Sequence, residues 1–197
     1  MKLNQAERLM VNNPVRAFMQ LQIVRWMKSR DSLGPGARIL EIGCGRGVGV
    51  VLLKRYFRPC STVALDMDDR MIQMARQRLG GLPRGAATFC VGETTHLPFK
   101  DGRFDAVFSF GMLHHVLNWR AALKQIARVL TKGGCFFMEE YFPGSYQNIL
   151  TRHILKHPDQ DRFVGPDLVL AIESAGLNLI HRFEIRGFGI LGVSRKI

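Results

Sequence analysis

The segment LEIGCGRGVG, Leu40 to Gly49, carries the densest chemistry in the chain. An apolar run leads straight into Gly43, Gly45, Gly47 and Gly49. Such glycines permit a tight turn and let the main chain come close to a ligand. Glu41 stands two residues ahead of the first glycine. A carboxylate there would repel a pyrophosphate and suit a cation. A dinucleotide fingerprint needs Gly or Ala at position 48, where Val48 stands, and no Gly-Lys-Ser/Thr follows. Asp66 closes the next apolar run, about twenty residues on, where an acid can accept hydrogen bonds from both hydroxyls of a ribose. Met67 follows, a flexible apolar side chain able to cover one face of an adenine. These residue types describe a ligand with an adenosine at one end and positive charge at the other.

Further along, His114 and His115 follow the apolar run Phe104–Phe110. Either could accept a proton from a phenol, an enol-type carbon acid or an amine. Adjacent residues do not share a helix face, so the pair does not suggest a metal site. Glu139 and Glu140 end another apolar run, and strand alternation sends them to opposite faces. Tyr141, Tyr146, His153 and His157 read as packing or surface residues.

The elements that must hold these residues alternate between strand-like and helix-like patterns, which indicates a parallel α/β sheet. Strands are predicted at Ala37–Ile42, Thr62–Leu65, Ala87–Val91, Phe104–Phe110 and from Cys135 to Met138. Helices are predicted from about Gly47 to Phe57, after the N-cap Asp68, and around Arg120–Leu130, the last closed by Gly133 and Gly134. A Pro-first, Gly-last helix spans Pro166 to Gly176. Two closing strands, Leu177–Ile185 and Phe188–Ser194, are separated by a break too short for a crossover, so they form an antiparallel pair. The expectation is one Rossmann-like, doubly wound domain with a mostly parallel seven-stranded sheet and a C-terminal antiparallel strand. Residues 1–33 are expected to form a helical lid and 34–141 the ligand-binding core. Residues 142–165, with a short helix Tyr146–His157, form a lid insertion; 166–197 form the last helix and strand pair.

The chain has 197 residues, 47% of them apolar and 22% charged, a globular composition. No apolar run of spanning length occurs, and the amino terminus lacks the apolar region of a secretory signal, so a cytoplasmic location is expected. The cysteines, Cys44, Cys60, Cys90 and Cys135, form no CxxC pair and read as packing residues. The formal charge of +12 favours anionic partners or simple solubility, and the basic residues are scattered rather than blocked. Pro14–Arg30 mixes Arg16, Arg25, Lys28 and Arg30 with apolar residues that keep to no narrow stripe. Such a helix can serve as a lid, an oligomer contact or a peripheral membrane contact.

The ordered set LEIGCGRG, LDMD, GETTHLPF, FDAVFSFGMLHHV and LKQIARVLTKGG resembles the class I S-adenosylmethionine-dependent methyltransferases. It is most similar to their ubiquinone/menaquinone-biosynthesis C-methyltransferase-like (Methyltransferase type 11) subgroup. The resemblance covers Arg38 to Tyr141 well and the last helix and strands loosely. It implies S-adenosylmethionine as cofactor, whose methionine end carries an ammonium and a sulfonium. It implies that Glu41, Gly43 and Gly45 hold that end, and that Asp66 binds the ribose beside Met67. It places Glu93 at the adenine amino group, where the family usually has Asp, with a Thr94 N–H at the ring. It sets the Phe110 main chain at the cofactor's amino group.

The resemblance leaves the acceptor open, since the family methylates carbon, nitrogen, oxygen and sulfur. A small-molecule or lipid-like acceptor is expected, with His115 or His114 as base, no metal, and a monomer or homodimer. Two other readings stand beside it: a nucleic-acid methyltransferase, suggested by charge alone, and a cofactor-binding sensor without turnover. No specific nucleic-acid motif is present; SFGM stands where an amino-methylating signature would lie.

Overall fold

A computed structural model describes residues 13–31, 33–34, 36–81, 87–146 and 161–197. Its elements are, in order, α1 (Pro14–Arg30), β1 (Arg38–Ile42), α2 (Val48–Phe57), β2 (Ser61–Asp66), α3 (Asp69–Arg78) and β3 (Thr88–Val91). They continue with β4 (Phe104–Phe110), α4 (Trp119–Val129), β5 (Leu130–Tyr141), the single turn α5 (Pro143–Tyr146), α6 (Gly165–Ser174), β6 (Leu177–Ile185) and β7 (Gly189–Lys196). Short 3₁₀ turns at Thr94–His96 and Leu113–His115 follow β3 and β4.

The seven strands form one sheet in the order β3-β2-β1-β4-β5-β7-β6. β1 to β5 run parallel, while β7 is antiparallel to both β5 and β6. This is the seven-stranded, mostly parallel architecture expected from the sequence. Strand order reverses between β1 and β4, and open α/β sheets bind ligands at the carboxyl side of such a switch point.

Alternation along each strand divides the core into two layers. Ile39, Ala106, Phe108, Cys135, Phe137 and Val193 pack with α1 and α2 through Ile23, Val24, Met27, Leu53 and Phe57. Leu40, Ile42, Val107, Phe136 and Met138 pack against α4 and α6 through Trp119, Leu123, Ile126, Leu168 and Ile172. The first layer centres on Phe108, whose ring stacks on Phe137 at 4.5 Å and meets Phe57 edge-on at 5.0 Å.

α1 is built into that layer. Asn13 caps it by accepting from the Arg16 amide at 2.8 Å, and Pro14 occupies the first turn. Gln20, Ile23, Val24 and Met27, at helical spacing, form its buried stripe. Val15 and Phe18 remain 68% and 63% exposed, which explains why the apolar residues kept to no stripe in sequence.

β5 differs from expectation at its start. α4 ends at Val129, and the strand begins at Leu130 rather than at Cys135. Gly133 and Gly134 do not end the helix; they lie where the register slips from Phe104↔Leu130 to Ala106↔Cys135. Gly133 has φ +74°, and a Cβ on Gly134 would press within 3.1 Å of the Asp105 carbonyl. The pair therefore makes an outward bulge that realigns the strand. Among the cysteines, Cys44 and Cys135 are buried, Cys90 is half-buried and Cys60 is exposed. The expected helix Tyr146–His157 lies outside the described residues after Tyr146.

Replacing Phe108 with Ala removes the hub of the aromatic cluster. The expected cost is about 3–5 kcal/mol of unfolding free energy by denaturant titration. A loss below about 1 kcal/mol would show that the layer does not depend on it.

Candidate active site

The carboxyl ends of β1, β2, β4 and β5 gather the residues singled out in the sequence. The turn after β1 is held at three points. The Cys44 amide donates to the Leu65 carbonyl at 3.0 Å, the Gly45 amide to Asp66 Oδ2 at 2.8 Å, and the Gly47 amide to the Cys44 carbonyl at 2.9 Å. Gly43, Gly45 and Gly47 all have φ between +51° and +77°, a left-handed backbone that side chains with a Cβ rarely adopt. Gly49 lies so close to Glu41 that a Cβ there would overlap its carboxylate. The Gln20 amide of α1 lies 3.0 Å from the same point.

Glu41 is almost fully buried, and its Oε2 has no hydrogen-bond partner. Burial, with Asp66 adding like charge, pushes its pKa well above the carboxylate range. Asp66 accepts from Gly45 and, through Oδ1, from the Asp68 amide at 2.9 Å. Burial raises its pKa, and these backbone donors oppose the rise. The Cys44 thiol is also pushed up, by burial first and by Glu41 and Asp66 next, which suits a packing residue and not a nucleophile.

Across the switch point, Met112 covers Gly43 closely enough that a Cβ on that glycine would clash with it. Thr94 is buried, and its hydroxyl donates to the Met112 sulfur at 3.8 Å. Met67 is 36% exposed beside Asp66, and Glu93 is exposed at the end of β3. Phe110 is buried, its ring 6.3 Å from that of Phe108. The Gly111 amide donates to the Glu139 carbonyl at 2.7 Å, joining β4 to β5.

Two networks lie at the end of β5. On the α1 side, Arg16 Nη2 contacts Glu139 Oε2 at 2.6 Å, and the Tyr141 hydroxyl donates to Glu139 Oε1 at 2.5 Å. Arg16 Nη1 is buried without a partner. On the α4 side, Glu140 Oε1 accepts from the Ser109 hydroxyl at 3.3 Å, the Met112 amide at 3.1 Å and the Leu113 amide at 2.9 Å. Its Oε2 lies 2.9 Å from His114 Nδ1. Burial raises Glu140 to about 7 and lowers His114 to about 3, with Arg16 adding to the second shift. Burial therefore favours the neutral imidazole, with Nδ1 within hydrogen-bonding distance of the Glu140 carboxyl. His115 packs on it, ring centroids 4.2 Å apart.

Sequence reasoning did not find Arg16. In sequence it is one of several bases on a helix expected to serve as a lid, an oligomer contact or a peripheral membrane contact, but its side chain turns in to Glu139. Nor did it find the tie between His114 and Glu140; two acids at the end of a strand were the only signal.

The sequence pattern of the methyltransferase-domain family matches residues 40–138, half the chain. The chain belongs to the class I S-adenosylmethionine-dependent methyltransferases. A fatty-acid O-methyltransferase of Mycolicibacterium smegmatis is 37% identical over 110 residues, covering 55% of this chain and 38% of that protein. A phthiotriol/phenolphthiotriol dimycocerosates methyltransferase of Mycobacterium tuberculosis is 36% identical over 103 residues, 51% of this chain and 36% of that protein. The chain thus spans under two fifths of the length of these two relatives. Among solved structures, a SAM-dependent methyltransferase from Aquifex aeolicus superposes with a TM-score of 0.79 at 16% identity, covering 100% of both chains. A putative methyltransferase in complex with the Haloferax volcanii Trm112 activator does so at 0.79 and 18% identity, over 97% of this chain and 94% of that one. The finer resemblance to the ubiquinone/menaquinone subgroup rests on the motifs alone.

The methyltransferase site has a testable acid–base signature. A cation can bind Glu41 only when that buried acid is ionised, so binding from the protonated form must release a proton. S-Adenosylmethionine affinity should therefore weaken as pH falls through the raised pKa of Glu41, and Glu41→Gln should flatten the dependence. Calorimetry in buffers of different ionisation enthalpy reads the released proton directly. Affinity independent of pH in the unaltered protein would contradict the assignment.

Proposed function

We propose that the protein transfers a methyl group from S-adenosylmethionine to a small or lipid-like acceptor by direct displacement. The observation that carries this reading is Glu41, a buried carboxylate with an unpartnered oxygen beside a left-handed glycine turn. An unanswered buried acid is costly, and a cation removes the cost. S-Adenosylmethionine supplies a methyl already activated on sulfur.

The residues fit that donor. Glu41 answers the ammonium, and Gly43 and Gly45 let the main chain approach the methionine end. Arg16, with its buried unpartnered Nη1, suits the carboxylate. Asp66 retains lone pairs for the ribose hydroxyls beyond those used by Gly45 and Asp68. Met67, Glu93 and Thr94 border the adenine position, and the Phe110 main chain lies across the switch point. Alignment and exclusion of water are the main tasks left to the protein.

A lipid-like acceptor is supported by the names of the two mycobacterial relatives and by the apolar surface around the site. A small cleft beside His114 is lined by Leu113, Val116, Trp119, Tyr146 and Phe163, with Asp161 and Arg162 as its charged wall. Phe18 of α1 and Phe183, Ile185 and Phe188 of the β6–β7 hairpin are each more than half exposed, and Arg182 and Arg186 are exposed among the hairpin residues. Among the described residues, no helix is long and apolar enough to cross a membrane. Contact with a lipid surface would be peripheral, through these side chains.

Asp66→Ala should weaken S-adenosylmethionine binding by on the order of 100-fold, since two hydrogen bonds to a charged group are lost. It should also abolish acceptor-dependent release of S-adenosylhomocysteine. Donor binding without such release from any acceptor would favour a sensor. In sedimentation with anionic vesicles, serine at Phe18, Phe183 and Phe188 should reduce binding; equal, negligible binding before and after would remove the lipid-surface role.

A further inference from the structure

The proposed methyl transfer, on which the following rests, does not say where an acceptor proton goes. We infer that Glu140 receives it through the His114 imidazole, and that the site accordingly takes a neutral hydroxyl acceptor rather than a carboxylate.

Glu140 is committed to this geometry by five contacts, one of them the His114 amide to Oε2 at 3.4 Å. Its Oε1 takes the Ser109 hydroxyl and the Met112 and Leu113 amides, and its Oε2 takes His114 Nδ1 at 2.9 Å. Such a carboxylate cannot swing away, so it fixes the imidazole's plane and tautomer. With the proton on Nδ1, Nε2 is the basic nitrogen. His114 also lines the cleft described above, and its Cε1 lies 3.7 Å from the Cβ position of Gly111, the first residue after β4. Met112 of the same turn covers Gly43, so the dyad borders the donor turn directly.

Charge decides where the proton rests. An imidazolium here would face Arg16 from α1, with Tyr146 stacked on its ring, His115 tilted against it and Arg162 in the same cleft wall. Glu139 already answers Arg16 and is bound by Tyr141. Burial and the Arg16 charge both disfavour an imidazolium, and burial favours the neutral acid of Glu140, 2.9 Å away. The proton is therefore assigned to Glu140.

The step balances. The acceptor O–H bond breaks and its proton passes to His114 Nε2, while the Nδ1 proton passes to Glu140 Oε2. The oxygen lone pair forms the new O–C bond as the S–C bond breaks, its electrons remaining on sulfur. One sulfonium cation and one buried carboxylate become a neutral thioether and a neutral acid, so no charge is left stranded in a low-dielectric site. A carboxylate acceptor has no proton to give, and ionised Glu140 would oppose its entry.

Glu140 is thus a positioning residue acting through His114. The first measurement needs no turnover. Nitrogen-15 histidine spectra of the whole protein, with and without S-adenosylhomocysteine, should show His114 as the neutral Nδ1–H tautomer at pH 8, passing to the neutral Nε2–H tautomer as Glu140 takes its proton near 7, with that passage lost in Glu140→Gln. An imidazolium near pH 6.5, or an Nε2–H tautomer already at pH 8, would overturn the inference.

The second measurement compares, at about pH 8.5, 4-hexylphenol, which is un-ionised there like a tyrosine phenol, with its ortho-nitro derivative, which is ionised. Glu140→Gln should cost about 100-fold on the first and far less on the second. Equal losses on both would mean a merely structural role. Transfer to myristate but to neither phenol would overturn the acceptor class. Calorimetric binding of S-adenosylmethionine separates these outcomes from failure of the methyltransferase reading, which alone would abolish it.

Discussion

Glu41, Glu139 and Glu140 are buried at one edge of a parallel sheet, and each must be answered by a cation, a hydrogen-bond donor or a proton. Each is answered differently. Glu139 has Arg16 and the Tyr141 hydroxyl. Glu140 has a fan of donors from one turn and from β4. Glu41 has an oxygen with nothing. On the proposed reading, the unanswered acid is where the donor's cation binds, and the answered ones hold the walls around it. The glycine turn, the depth of α1 and the 3₁₀ turn after β4 follow from meeting these demands.

Much of this was legible in the sequence. β4 and β6 match their expected bounds because alternation and turn residues fixed both ends. The glycine turn and Asp66 were legible because their spacing is local, and the structure joins them by one hydrogen bond. The start of β5 was not legible. Gly133 and Gly134 carry the same stop signal whether they end a helix or bulge a strand, and only the pairing with β4 decides between them. Arg16 was hidden for a similar reason. It is 123 residues from Glu139, and nothing in its own neighbourhood distinguishes it from the solvated bases of the helix.

The charge of the chain also takes a different shape in three dimensions. Among the described residues no Lys or Arg is fully buried, while four acids, Glu41, Asp68, Glu139 and Glu140, are buried at the ligand edge. A basic exterior and an acidic pocket suit a cationic donor within and anionic surroundings without. Composition shows only the first of these.

Between β5 and α6, two described points are tied to the rest of the fold. The Phe142 amide donates to the Phe188 carbonyl at 2.8 Å, and the Trp119 indole donates to the Asp161 carbonyl at 2.8 Å. Neither anchor involves Glu41, Asp66 or the glycine turn. The two clasps are therefore independent of the donor turn, and the loss of either would leave that turn's own hydrogen bonds in place.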